Sequence, residues 1–118
     1  MKTKYEYIHE LLLEQAENLS KSPYNWMAFL KTSAYMFKFP FQDQLLIHAQ
    51  RPDATACASF ETWNEKHSRW IRKGSKGIAL LNDDNTLRYV FDIKDTRSPS
   101  FKPLHLWRVE INDELEYI

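Results

Sequence analysis

The chain has 118 residues and one cysteine, Cys57, which excludes a disulfide within it. Glycine is nearly absent, with two residues, and no apolar run approaches the roughly 20 residues that cross a bilayer, so no membrane partner is expected. Net charge is also missing, because 16 Lys plus Arg balance 16 Asp plus Glu. That excludes a protein that holds nucleic acid by bulk charge and leaves only a local patch for such a role. Met1 to Glu10 is polar and charged, without the apolar centre of a signal peptide, and with the lone cysteine this predicts a cytoplasmic location.

What is present is a hydrophobic fraction of 43% with four Trp, six Tyr and seven Phe, which excludes a disordered tail. The length predicts a single domain over residues 1–118 with a core of its own. Charge is unevenly placed. Lys66, Arg69, Arg72, Lys73 and Lys76 are five cations in a stretch without an acid, whereas Glu110 to Ile118 holds four acids and no cation.

Tyr5, Ile8, Leu12, Ala16 and Leu19 recur at steps of three and four, which predicts an amphipathic helix over residues 4–19. Ser22 before Pro23 is a helix start, and Trp26, Phe29, Leu30, Ala34 and Phe37 are its expected buried face. Pro40 breaks that helix and opens a third, from Phe41 to about Gln50, which Pro52 ends. Ala54 to Ala58 reads as an extended link, and Ser59 as the cap of a short fourth helix.

Trp70 to Arg72 and Ile78 to Leu81 then predict a hairpin around Lys73, Gly74, Ser75, Lys76 and Gly77. In the following strand Leu87, Tyr89, Phe91 and Ile93 alternate with Arg88, Val90, Asp92 and Lys94, and the first set is the expected buried face. The predicted fold is therefore α+β, with N-terminal helices packed on a small antiparallel β-meander. Leu104 to Ile111 is an expected edge strand, and Asn112 to Glu114 reads as the start of a further helix, which makes the chain the expected N-terminal fragment of a longer protein.

Enzyme motifs are not found. His9 and Glu10 begin a zinc-protease pattern, but Leu13 stands where the second His belongs. Cys57 among alanines reads as a small core residue, and Lys76 is followed by Gly77 rather than the Ser or Thr of a phosphate-binding loop. No catalytic residue, metal or cofactor is expected.

The remaining chemistry is the basic segment, where Arg69, Arg72, Lys73 and Lys76 surround Trp70. Single-stranded nucleic acid requires cations along its backbone path and aromatic faces for its bases, and this segment has both. Taken alone, Trp70 reads as a core residue, because large aromatics gain most from burial; within the segment it is also the aromatic on which a base would stack. Gln44, Gln50 and Arg51, at the third helix, carry side chains able to bond base edges or to satisfy the last carbonyls of the helix.

Three blocks carry a resemblance to a known family: the helix ending in Gln50 with Pro52, Ala54 and Thr55 after it; Trp63 followed by Lys73, Gly74, Lys76, Gly77 and Ile78; and Val90, Phe91 and Asp92 leading to Thr96. Together they resemble the N-terminal domain of ArdC-type antirestriction proteins and its relatives at the head of large helicase-like or methylase-like proteins of conjugative elements. The sequence departs from that pattern at Asp43, where an Asn is common. The resemblance implies a module that binds single-stranded DNA without sequence preference, joined to a catalytic region further along a longer polypeptide. The competing expectation is a protein-interaction or structural head domain whose basic segment docks an acidic surface, its own downstream region included.

Overall fold

The computed structural model describes residues 1–98. The expected edge strand at Leu104 to Ile111, the helix start at Asn112 and the acidic tail lie outside the described residues. The fold is α+β, and the described residues form four α-helices and five short strands in the order α1 (Lys4–Leu19), α2 (Pro23–Tyr35), α3 (Phe41–Gln50), β1 (Cys57–Ala58), α4 (Phe60–His67), β2 (Trp70–Ile71), β3 (Ile78–Leu81), β4 (Leu87–Asp92) and β5 (Thr96–Arg97).

Local chemistry sets the helix starts. Thr3 and Glu6 close a reciprocal capping box on α1, with Glu6 N–H to Thr3 Oγ1 at 3.1 Å and Thr3 N–H to Glu6 Oε1 at 3.1 Å. Ser22 caps α2 ahead of Pro23, and Ser59 caps α4 through the Thr62 N–H at 3.2 Å.

α2 turns a different side to the core than its apolar spacing predicts. Phe29, Thr32 and Met36 are buried, while Trp26, Leu30 and Phe37 are exposed. The reason is polar. Thr32 Oγ1 pairs with His48 Nδ1 at 2.7 Å, Ser33 Oγ donates to Gln44 Oε1 at 2.7 Å, and the Gln44 amide donates to the Met36 and Phe39 carbonyls. Those bonds, together with Phe29 set edge-on to Phe41 and His48, fix the rotation of α2 against α3.

The expected three-stranded meander is replaced by two sheets. β4 is the centre of one, with β3 antiparallel on one side (Ile78↔Val90, Leu81↔Leu87) and β1 antiparallel on the other (Cys57↔Asp92, Ala58↔Phe91). β2 does not pair with β3. Its partner is β5, in the register Trp70↔Arg97 and Ile71↔Thr96. The expected hairpin of Trp70 to Arg72 with Ile78 to Leu81 is thus a crossing between sheets, and the expected link at Ala54 to Ala58 contains a strand.

The expected face of β4 is also corrected. Val90 and Asp92 are buried, whereas Tyr89 is exposed and Leu87, Phe91 and Ile93 are half-buried. Val90 joins the main core of Ile8, Met36, Leu46, Ile47 and Leu80 under α1 and α3. Phe91 and Ile93 pack instead on a second, smaller cluster of Ala56, Ala58 and Trp63. Both sides of the strand meet apolar surface, so alternation does not mark one face as inner.

Candidate nucleic-acid interface

The basic segment is held by its backbone and leaves its side chains outward. Ser68 ends α4 in the left-handed region at φ 53°, and the Arg69 N–H returns to the Trp63 carbonyl at 2.9 Å, which turns the chain sharply into β2. After β2, the Ser75 N–H bonds the Arg72 carbonyl at 3.1 Å around Lys73 and Gly74. Gly74 has φ +85°, as the third residue of a type II turn requires, so Lys73 stands at the crown. The Arg72 N–H donates to the Asp95 carbonyl at 2.7 Å and ties the turn to the chain before β5.

Arg72, Lys73 and Lys76 are exposed. None of the three is in an ion pair among the described residues. The nearby acids are already matched. Asp95 pairs with Arg51 at 2.6 Å, and Asp53 with Arg51 at 3.0 Å and Lys94 at 3.5 Å. The hydrogen bond to Asp95 holds the Arg51 guanidinium above its ordinary pKa. Arg69 is half-buried, with Nε donating to Thr96 Oγ1 at 2.6 Å, and burial first, then the charge of Arg72, lowers its pKa.

Trp70 is exposed, at 45% of its surface, not in the core. Among the described residues, its two-residue strand pairs with β5 alone and gives it no second layer to enter. Arg97, exposed and opposite Trp70, is a further cation that sequence reading missed. Only the pairing of β2 with β5 brings it there, and nothing local announces a partner that far along the chain.

Gln50 and Arg51 are not brought to this surface as free groups. The Gln50 amide donates to Ala79 O at 2.9 Å and to Leu46 O at 3.0 Å, and its Oε1 accepts the Ala79 N–H at 3.0 Å. It is a bracket between α3 and β3. Gln44 is buried in the bonds to α2 described above. Gln50→Ala leaves both backbone groups of Ala79, itself 2% exposed, without partners, and is expected to destabilise by about 2–3 kcal/mol. Chemical denaturation measures this, while the oligonucleotide affinity of the folded variant stays unchanged; the reverse pattern would make Gln50 a base contact.

Asp43 is likewise turned inward. Its carboxylate is buried and accepts from Arg88 Nη2. Burial raises its pKa and the Arg88 charge opposes that rise, so the acid does not project toward a phosphate. Cys57 is fully buried, and burial pushes its thiol far above the ordinary range. Among the described residues no group of three His, Cys, Asp or Glu side chains is placed to hold a metal, and no helix is long and apolar enough to cross a membrane. No family model, curated protein or solved structure matches the chain.

Proposed function

We propose that this domain binds single-stranded DNA without sequence preference, as the resemblance to ArdC-type N-terminal domains implies, and that it serves a longer protein of a mobile element. The observation that carries the reading is the surface of Arg72, Lys73 and Lys76, exposed and, among the described residues, without acidic partners, beside the exposed Trp70 and Arg97. Cations meet the phosphates, and the indole offers a face to a base. The glycine at the crown of the turn leaves backbone free to approach the strand.

With roughly three to five phosphates neutralised, the slope of log affinity against log salt is about −2 to −3.5. Affinity then falls roughly 20- to 100-fold between about 50 and 200 mM salt. Lys73→Ala with Lys76→Ala flattens that slope by about 1.4 and leaves the melting temperature unchanged, since both side chains are exposed. Fluorescence anisotropy with a labelled oligonucleotide reads both. An unchanged slope in the double variant moves the interface elsewhere. Absence of binding at low salt overturns the reading in favour of a domain that docks an acidic protein surface.

A further inference from the structure

A groove of about 540 Å³ lies between β4 and α4. Its walls include Phe39, Phe60 and Phe91 with the cations Lys66 and Arg88, the latter already paired with Asp43, and one acid, Glu61. Such a volume is within the ordinary range for small-ligand sites. Phe60 is 48% exposed, so its ring is open to a partner.

The backbone of β4 adds directed polar groups. Both the N–H and the C=O of Ala79 are bonded to Gln50, so they point away from β4. In an antiparallel ladder this makes Ala79↔Tyr89 a pair without mutual hydrogen bonds, and the Tyr89 N–H and C=O point to the other side of the strand. There β1 has already ended, at Ala58 opposite Phe91, and the residue due opposite Tyr89 is Phe60, where the chain turns off into α4. Among the described residues the Tyr89 donor and acceptor therefore have no strand partner, and they open on the groove.

We propose that this groove takes one unstacked base of a single strand: its face against Phe60, its edge on the Tyr89 N–H and C=O, and its phosphate near Lys66. The proposal rests on the single-strand reading above and extends its surface, because Lys66 both lines the groove and heads the acid-free run that continues to Lys76. The Tyr89 ring has a different task. Lys4 Nζ lies 5.5 Å from its centroid, and a Cβ at Gly77 would stand 2.9 Å from Cδ1, so the ring is seated on Gly77. An extended peptide would also suit an open strand edge, but the exposed Phe60 ring and the acid-free run that Lys66 begins favour a base.

The test compares an oligothymidylate with an abasic strand of equal length and charge, by anisotropy over a range of salt. The unmodified protein prefers the strand with bases by roughly 10-fold, the scale of one stacked base. Phe60→Ala lowers that preference several-fold and keeps the salt slope; Phe60→Trp retains both, and Lys66→Ala flattens the slope by about 0.7. Equal binding of the two strands by the unmodified protein overturns the base site and leaves the phosphate interface standing. A preference undiminished by Phe60→Ala overturns it too and leaves stacking to Trp70 alone. No binding of either strand overturns the function itself. Thermal melting of each variant establishes that it is folded, as the exposure of Phe60 predicts.

Discussion

Trp63→Ala is expected to lower the unfolding free energy by about 3–5 kcal/mol, measured as a shift of the urea midpoint at unchanged slope. Trp63 is 0% exposed, and its ring is the largest member of the smaller cluster, against Ala56 and Ala58 with Ile71, Phe91 and Ile93 around it. Its Nε1–H also donates to the Phe91 carbonyl at 2.8 Å and so fastens α4 to β4. Truncation removes the packing and the Nε1–H hydrogen bond together. Trp63→Phe keeps a ring but not the donor, and is expected to lose roughly half as much. Domains of this size are stable by only about 5–15 kcal/mol, so the alanine variant approaches the limit of folding. An unchanged midpoint would mean that α4 is not held by this side chain.

The second large effect is expected at Asp92, which is 0% exposed. Its Oδ1 accepts the Thr55 N–H at 2.8 Å and the Ala56 N–H at 3.1 Å, and its Oδ2 accepts the Lys94 N–H at 3.1 Å. One carboxylate thereby fixes the entry to β1 and the exit from β4. Asp92→Ala leaves three backbone donors without their acceptor and is expected to destabilise by about 3 kcal/mol or more. Asp92→Asn, with one acceptor oxygen kept and an NH2 group turned on a donor, falls between. Denaturation of the pair tests the assignment, and equal stability of all three proteins would refute it.

The helices were legible in the sequence because their causes are local: α1 shows its apolar spacing, and Ser22, Pro23, Pro40 and Ser59 sit within a turn of the boundaries they set. The strand pairings were not. β2 finds its partner at β5 and β1 finds β4, both across long stretches of chain, and two-residue strands have too short a pattern to announce either. Asp92 shows a second limit. A charged residue in an alternating strand reads as solvent-facing, and only the three amides aimed at it make burial favourable. In the candidate interface the cations Arg72, Lys73 and Lys76 were legible as a run without acids. The inward turn of Gln50 and Arg51 was not, because their partners Ala79 and Asp95 come from other parts of the chain.

The division of the core has a consequence for how the molecule opens. Among the described residues, the larger cluster joins α1 and α3 to β3, while the smaller one supports α4 and the half-buried Ile71 of β2. Fluctuations that release the smaller cluster expose the basic turn and the groove wall together and leave the helical half assembled. A strand bound across both would oppose that opening by mass action, and its occupancy would appear as slowed amide exchange in α4 and β2 with little change in α1 and α3.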